Sequence, residues 1–338
     1  MKLAEDDLLL VTGATGLVGS HVAERAAQLG IRTRVIVRPG SESPQFESWG
    51  VETVPGDITD SDSLAAAVSG VTAVVHCAAK VGDWGPVEDY RAVNVRGLEN
   101  LLSAVESESS FKKFVQISSL GVYEARDHYG TDEAEPLNSA GIDGYTLTKI
   151  EAEQLLDVWL QERSFPAVVL RPGFIYGPRD RTVLPRIYQR LKVKGVKYLG
   201  SGQQLMNNTY VGNLVDAVFL ALENDHSVGE KYNITDGRLV SKREFMTTIA
   251  EGAGYEIPQG AVALPVARVL AKLMEASWKL LGKKEAPLLS NARIKFMGLN
   301  LDFSIEKAKH RLGYQPAVDF TQGMQNTVEW FRKQELLP

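Results

Sequence analysis

The sequence predicts an α/β protein with a doubly wound parallel sheet and a smaller, mainly helical C-terminal lobe. Three observations predict it. Short β-branched runs alternate with helical stretches through the first half, a glycine-rich turn joins the first run to the first helix, and beyond residue 178 the alternation gives way to helical periodicity. A chain of 338 residues is long enough for two such parts.

The runs fall at 8–12, 34–37, 52–54, 73–76, 114–118 and 167–171, and their connections read as helices near 17–29, 61–69, 88–107 and 145–163. Near-continuous apolar runs suit strands buried on both faces, and the helices between them supply right-handed crossovers. Segment 181–205 is irregular, with Pro185 and several glycines. It is followed by a helix at 211–223, a short strand at 230–235, and helices at 242–252, 265–281, 304–312 and 320–334. Residues 1–178, with 206–235 returning to them, are expected to form the first part; 179–205 and 236–338 form the lobe that takes the substrate.

Composition removes several function classes. Lys and Arg number 37 against 42 Asp and Glu, a net charge of −5, so a diffuse grip on nucleic acid is not expected. The single cysteine, Cys77, forbids an internal disulfide and any cysteine-clustered metal site, which fits a reducing cytoplasm. The five histidines lack metal-ligand spacing, so no metal is expected. Glu5, Asp6 and Asp7 precede the first apolar run, which is wrong for a secretory signal, and no apolar stretch is long enough to span a bilayer.

The turn after the first strand reads Gly13-Ala14-Thr15-Gly16-Leu17-Val18-Gly19 and opens a helix. Gly13 allows the tight turn, Gly16 lets backbone amides approach a pyrophosphate, and Gly19 lets the helix pack on the strand. At the end of the second strand an acidic residue would bond a ribose 2′-hydroxyl; this sequence has Arg38, which suits a 2′-phosphate. NADP(H) is therefore favoured, with NAD(H) also accepted. After the third strand, Asp57 can bond an adenine amino group and Ile58 can pack on the ring, although Asp57 also suits a turn carboxylate.

Tyr145 and Lys149 stand four residues apart at the start of a helix, on one face. A neighbouring ammonium would favour the tyrosinate and make the phenol a general acid/base. Ser118 and Ser119 end the fifth strand, where open α/β sheets bind ligands. His76 and Cys77 read as a buried structural pair beside Ala78 and Ala79, small residues that leave room for a cofactor.

Taken together, TGATGLVG, HCAA, NVRGLENLL, VQISSLGVY, YTLTK and RPGFIYGP follow the order found in the extended short-chain dehydrogenases/reductases, and the resemblance covers essentially the whole chain. The segments HCAAKVGDWGP, Tyr210-Val211-Gly212-Asn213 and FSIEKAKHRLGYQP resemble the 3β-hydroxysteroid dehydrogenase and sterol dehydrogenase branch more than the sugar-nucleotide epimerases. The resemblance implies a Rossmann-type fold and an enzyme acting on CH–OH groups. In it Ser119 would hydrogen-bond the substrate oxygen, Tyr145 exchange its proton, and Lys149 hold the nicotinamide ribose. It implies that Asn94 supports the site through its helix. It also implies cofactor contacts at Gly13, Thr15, Gly16, Leu17, Val18, Gly19, Ala78, Ala79, Lys80, Pro172, Gly173 and Ile175, and a homodimer through helices 88–107 and 145–163.

The expected activity is interconversion of a secondary alcohol and a ketone on an apolar, sterol-like, β-keto or flavonoid-like small molecule. The alternatives are a nucleotide-sugar epimerase or dehydratase, and a non-catalytic dinucleotide sensor. Leu120 and Gly121 stand where dehydratases of the superfamily usually add an acid/base pair after the serine, and a sensor would be expected to lose Tyr145 and Lys149. The amphipathic stretch 264–281 places Leu264, Ala267, Leu270, Met274, Trp278 and Leu281 on one face. It can pack on the lobe, wall the substrate pocket with the Trp84 loop, or make a weak contact with a membrane surface.

Overall fold

The computed structural model describes residues 6–41, 44–283 and 285–337. Glu5 and residues 42 and 43 of the loop beyond Arg38 lie outside them.

Seven strands form one parallel sheet: β1 (Leu8–Thr12), β2 (Arg32–Val37), β3 (Glu52–Pro55), β4 (Ala73–His76), β5 (Lys113–Ile117), β6 (Ala167–Pro172) and β7 (Lys231–Ile234). Their order is β7-β6-β5-β4-β1-β2-β3. The chain runs outward from β1 through β2 and β3, then crosses back to β4 on the other side of β1. That reversal opens a crevice beyond the C-terminal ends of β1 and β4, the place where doubly wound sheets bind ligands. The turns carrying Gly13, Cys77 and Ser119 all leave the sheet at that edge.

Strand alternation sorts the apolar side chains into two layers. Leu9, Val11, Val35 and Val37 pack with α1 (Leu17–Gln28) and with the later helix Val211–Glu223. Leu8, Leu10 and Ile36 pack on the opposite face with α2 (Gly97–Glu106) and α3 (Gly144–Arg163). Both layers are fully buried, which is why these strands read as continuous apolar runs.

The helix predicted over 88–107 is interrupted. Val87–Arg91 and α2 are joined by a π turn, Ala92–Arg96, that places Asn94 inward. Several elements have no periodic signal in the sequence. Phe174–Tyr176 pairs with Asn208–Tyr210, and His128–Thr131 with Leu301–Phe303, in ladders too short to show alternation. The lobe's interior is aromatic: Tyr176, Tyr188, Phe245, Phe320 and Phe331 form one buried cluster.

Helix α4 (Leu264–Leu280) departs from expectation. Of the predicted apolar face Ala267 is buried and Leu264, Met274 and Trp278 are partly buried, yet Leu270 and Leu281 are exposed, and the helix packs most closely through Ala267 and Ala271 beside Leu199 and Ile294. The two small residues allow a close approach, leaving Leu270 and Leu281 on the outside.

Candidate active site

The glycine turn has the geometry its residues require. Gly13 sits at φ +65°, and a Cβ there would stand 2.6 Å from the Ala78 amide nitrogen, so both its conformation and its space exclude a side chain. A Cβ on Gly19 would meet the Gly13 carbonyl oxygen at 2.4 Å. Gly16 caps α1, and neither a side-chain cap nor an acidic residue occupies the first turn through Leu17 and Val18. The helix N-terminus thus offers unsatisfied amides and positive dipole to an anion. Thr15 lies within the turn and is partly exposed. This cradle fits a dinucleotide pyrophosphate.

Arg38 follows β2 directly, and its side chain is exposed. Asp57 is a turn carboxylate: its Oδ1 accepts from the Thr59 amide at 2.9 Å and the Thr59 hydroxyl at 2.8 Å. Ile58 is buried against Gly97, where a Cβ would lie 2.9 Å from it, so it offers this edge mainly its backbone. Both stand beyond β3, beside the end of β2.

Beyond β4, Thr12 ties the first turn to the next. Its hydroxyl bonds His76 Nδ1 at 2.7 Å and accepts from the Ala78 amide at 3.2 Å. Burial, aided by the Lys149 charge, lowers the His76 pKa to about 3, so the imidazole is neutral. Burial raises the Cys77 thiol to about 12, which leaves it unreactive. Ala78, Ala79 and Lys80 continue along the crevice. Asn94 holds Lys80 at both ends of its peptide, accepting from its amide at 2.7 Å and donating to its carbonyl at 3.1 Å. The same Asn94 amide reaches the Thr148 hydroxyl at 2.9 Å, so the π turn joins this loop to α3. The Lys80 ammonium is paired with Asp89 at 3.0 Å.

The two serines after β5 separate by direction. Ser118 is buried, and its hydroxyl donates to Glu153 at 2.5 Å. Glu153 in turn holds the buried Arg171 through contacts of 2.6 to 3.2 Å. Ser119 is partly exposed, and its Oγ accepts from the Gly121 amide at 3.0 Å. It stands beside the Tyr145 phenol, whose pKa it draws down.

Asp143 caps α3, accepting from the Thr146 amide at 2.7 Å, and this fixes the first turn that carries Tyr145. Contrary to expectation, Lys149 does not lower the Tyr145 phenol. Burial raises the phenol to about 12, Ser119 pulls it partly back, and Asp143 pushes it further up. The Lys149 ammonium lies 5.9 Å from the ring centroid and donates to the Ile117 carbonyl at 2.7 Å, so it is spent on the backbone rather than on the phenol. Burial lowers Lys149 itself to about 8.

Pro172 ends β6; Gly173 and Ile175 border the same edge. A Cβ on Gly173 would stand 1.6 Å from the Asn207 carbonyl oxygen, so only glycine fits there. Two residues of the site carry no signal in a linear reading. Thr148 is the partner of Asn94. Lys295, on α5 (Asn291–Gly298), donates to the carbonyls of Gly121 and Tyr123 at 2.9 and 2.8 Å and so ties the C-terminal lobe to the Ser119 loop.

Comparison with known proteins accords with this geometry. The model of the NAD dependent epimerase/dehydratase family matches residues 9–235. A 4-hydroxy-2-methyl-3-oxo-4-farnesyl-3,4-dihydroquinoline-1-oxide ketoreductase of Stigmatella aurantiaca is 29% identical over 93% of each chain. The 3-beta-hydroxysteroid dehydrogenase of Mycolicibacterium neoaurum is 30% identical over 96% of this chain and 91% of its own. The crystal structure of gox2253 superposes with a TM-score of 0.82 at 29% identity, covering 98% of this chain and all of the other. The glycine cradle at the sheet's switch point and the breadth of the match together place the chain in the NAD dependent epimerase/dehydratase family, as an enzyme of the extended short-chain dehydrogenases/reductases.

Proposed function

We propose that the protein interconverts a ketone and a secondary alcohol on an apolar small molecule, with Ser119, Tyr145 and Lys149 as its catalytic residues and Asn94 as a positioning residue. The observation that carries this reading is the Tyr145 phenol, kept protonated beside Ser119 at the open edge of the sheet. A protonated phenol beside a hydroxyl is the arrangement needed to bind a carbonyl oxygen by two donors and to deliver a proton as negative charge develops on it.

The cofactor would lie along Gly13, Thr15, Gly16, Leu17, Val18 and Gly19, past Arg38, Asp57 and Ile58, and under Ala78, Ala79 and Lys80, with Pro172, Gly173 and Ile175 beside its nicotinamide end. When bound it supplies or accepts the hydride. In the reducing direction negative charge would gather on the carbonyl oxygen as the C=O π pair moves to it, and Tyr145 would give its proton to that oxygen. Ser119 holds the oxygen in place throughout. Lys149 would hold the ribose, and Asn94 would keep the 78–80 loop at a fixed distance from α3 through Thr148. Arg38 favours the 2′-phosphate of NADP(H), while NAD(H) is accepted because the turn adds no second cation. Residues 179–205 and 236–338 would close over the substrate. The family resemblance further suggests a homodimer through 88–107 and 145–163, which sedimentation velocity would detect.

Both comparisons with named activities concern ketone or alcohol chemistry on farnesylated or steroid molecules, which favours an apolar substrate over a nucleotide sugar. The test is a panel of apolar ketones, sterols and nucleotide sugars followed by NAD(P)H absorbance. Turnover of an apolar ketone is expected; turnover confined to nucleotide sugars would replace this reading with epimerisation. The pH profile adds a second check. Lys149 carries its charge below about 8 and loses it above, so the cofactor KM should rise as pH passes that value. Tyr145, at about 12, stays protonated across the same range.

A further inference from the structure

Helix α4 exposes what a packed helix buries. Val266, Val269, Leu270, Leu273, Leu280 and the adjoining Leu281 are 42 to 88% exposed, and they lie along one continuous stretch of surface. Scattered exposed leucines are ordinary, but this many on one helix form a patch that water does not favour.

The charges of the same segment have a fixed sign. Between residues 264 and 283 the sequence holds Arg268, Lys272, Lys279 and Lys283 against Glu275 alone. All four cations are exposed. Glu275 is turned into the protein, accepting from the Asn291 backbone amide at 2.6 Å and its side-chain amide at 2.8 Å. The outer face is therefore apolar and cationic in a chain whose net charge is −5. A second copy of this chain would bring that cationic excess against itself across a two-fold axis. An anionic lipid surface complements both properties at once. Among the described residues no helix is long and apolar enough to cross a membrane, so the contact is one that lies on the surface.

The position of the patch links it to the site. The Trp84 indole donates to the Lys283 carbonyl at 2.9 Å, and Arg293 pairs with Asp83 at 2.8 Å. The first bond fastens the residues just beyond α4, and the second fastens α5, to the 80–86 loop, whose first residue is held by Asn94. Helix α5, which packs on α4, carries the Lys295 ammonium to the Ser119 loop. The end of the helix that carries the exposed face thus lies beside the loop that borders the crevice.

We propose that α4 seats the protein on an anionic membrane surface, with the crevice mouth at the bilayer boundary. This goes beyond the reductase reading and does not depend on it, because vesicle binding needs no turnover. The test is co-sedimentation of the full chain with phosphatidylcholine–phosphatidylglycerol vesicles and with phosphatidylcholine vesicles alone, at low and high salt. Pelleting with the anionic vesicles, weakened by salt, is expected. Leu273→Glu and Lys272→Glu, both on the outer face, should each lower the vesicle partition coefficient about tenfold while leaving the melting temperature unchanged. Protein that stays in the supernatant at low salt would overturn the proposal. So would pelleting that neither substitution alters, or a dimer in sedimentation velocity that Leu273→Glu dissolves, since the patch would then be an interface between copies.

Discussion

Helices α3 and α4 are both long, and each inverts the usual placement of residues. On α3 the buried positions include Thr148, Lys149 and Glu153; on α4 the buried positions are Ala267 and Ala271 while leucines and valines face outward. In α3 the buried polar groups are matched: Lys149 by the Ile117 carbonyl, Thr148 by Asn94, and Glu153 by Ser118 and Arg171. In α4 the outward apolar groups have no such match within the chain. On the proposed readings, departures from the rule that apolar groups go inside mark a catalytic wall where internal partners match them and a docking face where none do.

The largest effect should come from breaking the match inside α3. Arg171 is buried, which works against its charge, and Glu153 more than offsets that cost, holding the guanidinium above its ordinary pKa. Glu153→Ala would leave that cation buried without its partner, costing about 3–5 kcal/mol of stability. Denaturant unfolding measures this; a loss below about 1 kcal/mol would show that the pair is not structurally coupled in the way its geometry implies.

Next in size is the chemistry at the open end of the same helix. Tyr145→Phe removes the proton donor and little surface, so turnover should fall by about a hundredfold or more with cofactor affinity nearly intact. Near-normal kcat in the purified variant would remove Tyr145 from the mechanism and leave α3 as a wall alone.

How much of this was legible in the sequence depends on the range of the interaction. Gly13, Gly16 and Gly19 act on neighbours within one turn, and Tyr145 and Lys149 within one helical repeat, so spacing reveals them. The six first strands and α3 follow from runs of apolar residues for the same reason. Lys295, Thr148 and the Arg171–Glu153 pair join segments distant along the chain, and no local pattern encodes them. The choice of Ser119 over Ser118 rested on the resemblance; the structure adds that Ser118 is taken by Glu153. The shift at Tyr145 was misjudged because spacing shows that a lysine is near but not that its ammonium bonds a carbonyl. On α4, periodicity identified an amphipathic helix and most of its inner face, Leu264, Ala267, Met274 and Trp278, but also counted Leu270 and Leu281, which lie outside while Ala271 takes the inner place.

A smaller effect is expected at Arg38, an exposed charge that the proposed reading sets against the 2′-phosphate of the cofactor. Arg38→Asp exchanges attraction for repulsion at the one group by which NADP(H) differs from NAD(H). The ratio of KM for NADPH to KM for NADH should rise about tenfold or more. Equal KM values in the wild type, unchanged by the substitution, would show that Arg38 does not read the phosphate.

The smallest effect sharpens the comparison most directly. If α4 is held by its inner face, hydrophobicity on its outer face contributes nothing to folding. Leu273→Gln then removes an apolar side chain that already faces water, and unfolding free energy should change by no more than about 0.5 kcal/mol. Ala271→Leu adds apolar atoms where the helix meets Leu199 and Ile294, with no room to receive them, and should cost about 1–3 kcal/mol. The pair inverts what side-chain hydrophobicity alone would lead one to expect, because the apolar deletion is silent and the apolar addition is harmful. A loss at Leu273→Gln comparable to that at Ala271→Leu would mean that the outer face of α4 is covered in solution, and that its partner is already part of the folded protein.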